Sequence, residues 1–319
     1  MQILSETLSS LEIGQPVTIE NLTVFPLKAP WNRSPDYLTL DEALAAEGVT
    51  VSEISESGSV PELSLENRTE SGVALFDGEE LVGAKQNRIL NLTILVPAGR
   101  KIVIPVSCVE RGRWAWRGRR FSSSGKALFA KARAQKVAQV SASMRQSGSR
   151  RSDQGRIWAS VEDKLESLNA TSGTSAMYDA YESANERIRK YAEGVRAEHR
   201  QVGAVFAIDG QVAGVELFDT DATFAKFLTK LTESYALDAI ETAGREARPA
   251  DEAAAKAFLD RLAKGKAESF PAVGEGEDVR LAGDGLTGAA QVARGRVVHL
   301  SAFPADPDDL RTRRDFHFA

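Results

Sequence analysis

The sequence predicts an α+β fold: a β-rich N-terminal part, central helices and a C-terminal α/β part, packed as one compact body. Three observations predict it. Short apolar runs bounded by Gly, Pro and Asp-Gly turns crowd residues 1–125. Helical spacing of apolar residues dominates 126–200. From 201 to 303 strands and helices interleave again, and a tail, 304–319, follows. The 319 residues are 42% hydrophobic and 27% charged, ample for a core without staples.

Residues 2–13 carry Ile3, Leu4, Leu8, Leu11 and Ile13 at helical spacing, stopped by Gly14 and Pro16. Leu22–Leu27 reads as a strand. Tyr37–Leu44 holds a helix start in which Thr39 caps and Glu42 completes a capping box. Val49–Ile54 alternates as an edge strand does, and Val60–Leu65 resembles another. Val73–Phe76 is a buried strand, and Asp77-Gly78 a hairpin-type turn. Ile89–Val96 reads as one strand and Lys101–Val109 as its return, with Pro105 arguing for an edge or a bulge.

Ser122-Ser-Ser-Gly reads as a loop that caps a helix running from Lys126 to about Met144. Helices are expected at roughly 153–168 and 175–199. Val202–Ile208, the turn Asp209-Gly210 and Val212–Phe218 form a hairpin. Thr223–Ala239 and 251–264 are helices, and a closing hairpin spans Val279–Phe303. The tail from Pro304 is expected to be poorly ordered. Ile208–Phe218 aligns without a gap on Ala293–Phe303, and Phe76–Gly83 resembles the start of both. Hairpins built on such turns converge easily, so coincidence is the simpler explanation than duplication.

Composition removes several classes of function. Cys108 is the one cysteine, so no internal disulfide forms, which fits a reducing cytoplasm. Three histidines and one cysteine, far apart, give no zinc pattern. The N-terminus lacks a signal peptide's basic and apolar regions, and no apolar run reaches a membrane span of about 18 residues. The expected location is the cytoplasm, without membrane contact. The sequence contains no P-loop, no Gly-x-Gly-x-x-Gly and no Gly-x-Ser-x-Gly.

The net charge of −5 hides an asymmetry: residues 111–151 hold twelve Lys or Arg and no Asp or Glu. Such confinement points to an anionic ligand, against the plainer alternative of a solvated basic helix. Inside this region Arg113 and Arg120 offer bidentate contacts to phosphate, and Trp114, Trp116 and Phe121 flat faces for a base. Ser122, Ser123 and Ser124 ahead of a helix would add hydroxyls and free N–H groups.

Just upstream, Glu79, Glu80 and Lys85-Gln-Asn-Arg88 lie between apolar strands. Lys85 and Arg88 would hold phosphates, Gln86 and Asn87 orient the ligand, and Glu80 or Glu110 serve as general base. In a regular strand Lys85 and Asn87 would share one face and Gln86 and Arg88 the other. Glu79, Glu80 and Glu110 are the ligands available to magnesium, should a metal be needed; the cofactor is otherwise open. Cys108 has arginines nearby but no histidine close in sequence, so a buried structural thiol is the simpler reading than a nucleophile. Glu216 and Asp219 are secondary candidates that could face Lys226 or Lys230.

Gly78-Glu-Glu-Leu-Val-Gly-Ala-Lys-Gln-Asn-Arg88, Ile104-Pro-Val-Ser-Cys-Val-Glu110, Gly112-Arg-Trp114 and Arg120-Phe-Ser-Ser-Ser124 resemble an uncharacterised bacterial family. It is the ARG and Rhodanese-Phosphatase-superfamily Associated Protein domain. The resemblance runs from about Leu11 to Phe303 and includes Tyr37–Leu44 and Ser234–Ala239. It implies neighbours that remove ADP-ribose or phosphate groups, an ADP-ribosylglycohydrolase or a rhodanese-like phosphatase, and hence NAD- or nucleotide-derived ligands. It carries over no catalytic residues. The expectation is hydrolysis or transfer on a phosphate-bearing nucleotide or an ADP-ribose derivative. The alternatives are a non-catalytic module for ADP-ribosylated or phosphorylated RNA or protein, and a structural homo-oligomer subunit.

Overall fold

The computed structural model describes residues 2–244 and 248–305. The predicted tail lies outside the described residues from position 306 onward. The first segment runs α1 (Gln2–Ser9), β1 (Glu12–Ile13), β2 (Val17–Ile19), β3 (Leu22–Lys28), β4 (Tyr37–Thr39) and α2 (Leu40–Ala45). The predicted first helix stops early because Glu12 and Ile13 pair with Lys28 and Leu27 of β3. The capping box forms as expected: Thr39 accepts from the Glu42 N–H, and Glu42 accepts from the Thr39 N–H.

Next come β5 (Val49–Glu53), β6 (Glu62–Asn67), β7 (Gly72–Leu75), β8 (Glu79–Ala84), β9 (Arg88–Leu90), β10 (Ile94–Val96), β11 (Lys101–Cys108) and β12 (Arg117–Ala127). Six of them form one antiparallel sheet in the order β12-β8-β9-β11-β6-β5. This sheet curls until edge strand β12 lies beside edge strand β5. Its inner face packs Val51, Leu63, Leu81, Leu90, Ile104 and Phe121 into one apolar cluster. A small sheet, β10-β7-β4, lies apart from it.

Four expectations are corrected here. Asp77-Gly78 does not join a hairpin, because β7 pairs with β4 and β10 while β8 belongs to the curled sheet. Ile89–Val96 is two strands, broken where Asn91 and Thr93 turn their side chains to distant partners. Ser122–Gly125 is no helix cap; Ser122 and Ser123 lie inside β12, paired with Val82 and Leu81. Pro105 sits on an inner strand, where β11 passes from β6 to β9. Asn91 donates to the Pro105 carbonyl, while the Asn91 carbonyl accepts from Lys136 Nζ at 3.2 Å. Lys136 thus serves the carbonyl that faces the missing proline N–H.

The central helices are α3 (Ala130–Ser147), α4 (Gln154–Ser167), α5 (Met177–Ser183) and α6 (Asn185–Gly194), the last two split at Ala184. They lead to β13 (Gln201–Ile208), β14 (Gln211–Phe218), α7 (Asp221–Ala239), α8 (Glu252–Lys264), β15 (Lys266–Pro271), β16 (Glu277–Gly283), β17 (Leu286–Ala293) and β18 (Arg296–Pro304). The expected closing hairpin is therefore a four-strand meander. These strands and β1–β3 make a nine-stranded sheet, β1-β3-β13-β14-β18-β17-β16-β15, with β2 beside β3. One face of it packs on α1 and α8, and the other packs on α3–α7.

The two segments that echo each other in sequence are neighbours. β14 and β18 pair antiparallel, and each follows a turn with two positive φ values. Those turns are Asp209-Gly210 at 50° and 79° and Arg294-Gly295 at 52° and 69°. Among the described residues no helix is long and apolar enough to cross a membrane.

Candidate functional site

Strand alternation divides the predicted site between two faces of the curled sheet. Arg88 shares its face with Leu90, Cys108 with Ile104 and Val106, and Glu53 with Val49 and Val51. These apolar partners fill the interior, so Glu53, Arg88 and Cys108 close one end of it. Arg88 is fully buried. Its Nη1 donates to Gln86 Oε1 at 3.0 Å, and its Nη2 lies 3.9 Å from Glu53 Oε1. Arg88 Nε and Nη2 and Glu53 Oε2 have no hydrogen-bond partner. Burial lowers the Arg88 pKa, with the Glu53 charge among the influences opposing it.

Cys108 is buried, and burial pushes its thiol up, against the pull of the Arg88 charge. A neutral thiol fits the structural role and argues against the nucleophile.

Lys85 closes the same end from outside. Its backbone N–H faces Glu53 Oε1 at 3.4 Å, and its Nζ donates to the Ser57 carbonyl at 2.8 Å. The ammonium also lies 5.1 Å from the ring centres of both Trp114 and Trp116. Arg88 lies 5.6 Å from the Trp114 ring, and Arg119 4.6 Å from Trp116. Cations and indoles therefore alternate, and the indoles remain 46% and 38% exposed. Gly58 permits this closure, since a Cβ there would meet Lys85 and Trp114 at 3.1 Å.

The arginines that follow stand outward. Arg117 pairs with Ala84 and Phe121 with Gly83, so residues 118–120 form a bulge. Arg117, Arg119 and Arg120 are exposed; Arg119 pairs with Glu56 across the seam. Gly83 is required below the bulge, where φ is 133° and a Cβ would come within 2.5 Å of the Arg120 carbonyl.

On the outer face, Glu110 is the hub. It accepts from Arg113 Nε at 2.9 Å and Nη2 at 2.7 Å, from the Asn87 N–H at 3.0 Å and from Thr174 at 2.9 Å. Burial raises its pKa, but Arg113 and the other donors hold it below the usual carboxylate range. Arg113 also donates to the carbonyls of Gly83, Ala84 and Ala115 and to Asn87 Oδ1. Its donors are thus engaged by the protein, which makes it a clamp on the 83–87 turn instead of the expected phosphate holder. Ala84, at φ 32°, sits in that turn.

Glu80 lies on this same outer face and is fully buried, and neither of its oxygens has a hydrogen-bond partner. Burial pushes it up to about 8; the nearby Ser124 side chain opposes this without forming a hydrogen bond, and the Glu110 charge adds to it. The result is a protonated acid beside an ionised one.

Lys85, Gln86 and Arg88 therefore gather with Trp114 at the interior end, and Asn87 joins Glu110 and Arg113 outside. Arg120 stays on the bulge, and Ser122 and Ser123 are strand residues. Glu79 binds Lys230 at 2.7 Å, so the three carboxylates offered for magnesium do not gather. Among the described residues no group of three or more His, Cys, Asp or Glu could hold a metal.

A buried ionic centre that sequence reasoning missed lies beneath α3, where Arg133 pairs with Glu216 and Lys136 with Asp77. Glu216 also accepts from Tyr235 at 2.9 Å, and Asp219 accepts from Tyr37 at 2.5 Å and Arg296 at 2.8 Å. Neither acid meets the Lys226 or Lys230 expected. Only the acid-free run from 111 to 151 hinted that Arg133 and Lys136 had distant partners.

No curated protein and no solved structure gave a match to the chain. The model of one family, the ARG and Rhodanese-Phosphatase-superfamily-associated Protein domain, matches residues 10–303. The match spans the curled sheet, the helices and the nine-stranded sheet alike, and the chain belongs to that family.

Proposed function

We propose that the chain binds a phosphate-bearing nucleotide or ADP-ribose derivative at the Trp114–Arg120 arm. One observation carries this reading: two tryptophans stand half exposed among cations at the closed end of a curled sheet. An apolar ring of that size is ordinarily buried, and exposed indoles beside guanidinium groups suit a stacked base and its phosphates. Arg117, Arg119 and Arg120 supply positive charge on the outward bulge. The family name supports the reading, because it associates the domain with ARG and rhodanese-phosphatase superfamily proteins and so suggests a link to phosphate or ADP-ribose processes.

The pair Glu80 and Glu110 favours a second reading, hydrolysis or transfer on that ligand. Their environments push the two carboxyls in opposite directions, as acid–base pairs require. Glu80 would donate a proton and Glu110 accept one. Calorimetry with ADP-ribose, NAD and short RNA, followed by product analysis, separates the two. Binding with turnover establishes the enzyme, binding without turnover the module, and no binding to any of the three refutes both.

A further inference from the structure

Arg88 and Glu53 present a conflict with a simple phosphate pocket. Both are buried, they stand 3.9 Å apart, and each keeps unpartnered atoms, Nε and Nη2 on one and Oε2 on the other. Buried polar groups are rarely left without partners, so such a pair calls for a ligand. A phosphate offers only acceptors. It would satisfy Arg88 and be repelled by Glu53. A group carrying a donor beside an acceptor satisfies both at once.

We propose that the interior end of the curled sheet receives the base of the ligand, whose donor–acceptor edge faces Arg88 and Glu53 together. This rests on the nucleotide reading above and fixes the ligand's orientation. The base points inward under Trp114, and the phosphates lie outward along Arg117, Arg119 and Arg120. Every common nucleobase has an edge with an N–H beside a ring nitrogen or carbonyl, so the arrangement selects a base over a sugar phosphate. Trp114 lies over Arg88 and is the face on which the base stacks. Lys85 occupies the indoles in this structure, so binding displaces its ammonium from them.

The test is calorimetry on the full chain with adenosine and uridine 5′-monophosphates, ribose 5-phosphate and pyrophosphate. It is run on the wild type and on Glu53→Gln, which replaces the charged acceptor facing the base's N–H with a neutral amide. The expected result is a nucleotide bound at least about ten-fold more tightly than either base-free ligand, and a weakening of about ten-fold in Glu53→Gln. Ribose 5-phosphate or pyrophosphate binding as tightly as the nucleotide overturns the proposal. So does tighter nucleotide binding by Glu53→Gln, since removing a negative charge helps a phosphate pocket. Should Glu53→Gln not fold, the wild-type ligand series decides alone. If none of the ligands binds, the nucleotide reading itself fails and this proposal falls with it.

Discussion

Glu80→Gln should stabilise the protein above neutral pH and flatten its pH dependence. Glu80 is fully buried without a hydrogen bond, and its carboxyl is pushed from an ordinary 4.5 up to about 8. The unfolded chain ionises this group above its ordinary value, whereas the native state keeps it protonated until about 8. Between those limits unfolding releases a proton, so stability falls as pH rises through the window. At about 1.4 kcal/mol per unit the ceiling is about 5 kcal/mol, and relaxation around the buried group should leave about 2–3 kcal/mol to measure. Glu110, held below its ordinary value, acts in the opposite sense and only at more acid pH. Burial also raises Glu79, Asp219 and Asp238, so the wild type alone does not isolate Glu80. The difference between wild type and Glu80→Gln does. Urea denaturation at pH 5.5, 7 and 8.5 reads it, and the two proteins should diverge as pH rises. Parallel curves at all three values would show that Glu80 ionises like an exposed carboxylate and would remove the acid–base pair.

Other outcomes follow from the same geometry. Arg113→Ala leaves Glu110 buried and ionised and frees the carbonyls of Gly83 and Ala84. It should cost about 3–5 kcal/mol by urea denaturation, and a loss under about 1 kcal/mol would contradict the clamp. Gly83→Ala meets both a φ of 133° and the Arg120 carbonyl, and a loss of several kcal/mol, roughly 2–4, is expected. An unchanged melting temperature would mean that the bulge shifts freely. Cys108 should react with iodoacetamide on the order of a hundred-fold more slowly in the native than in the urea-unfolded protein. Equal rates would restore the nucleophile.

Much of the fold was legible because it is local. The Thr39–Glu42 capping box, the Asp209-Gly210 turn and the strands 22–28 and 201–208 each announce themselves within a few residues. What failed was decided by partners far away. Asp77-Gly78 has the composition of a hairpin, yet its flanking strands belong to different sheets, and Ser122–Gly125 is held extended by β8. The site followed the same rule. The 85–88 run and the Trp114–Arg120 arm were visible as chemistry, but their division was not: Lys85 meets Trp114 while Asn87 turns to Glu110 and Arg120 stays exposed. Roles were less visible, because Arg113 and Arg120 look alike in sequence. One is buried against five protein groups, and the other lies on an exposed bulge. The split of the basic run into buried Arg133 and Lys136 and exposed Arg117–Arg120 depends on acids 59 and 83 residues away.

The central claim is that the half-exposed indoles are a base-binding surface. Tryptophan fluorescence during titration with ADP-ribose, in the wild type and in Trp114→Ala/Trp116→Ala, tests it most directly, with calorimetry reading the affinity of the double variant. The account predicts saturable quenching in the wild type and a weakening of at least about five-fold when both indoles are removed, at about 1–3 kcal/mol for the one stacked base. Undiminished binding by a folded double variant would contradict it.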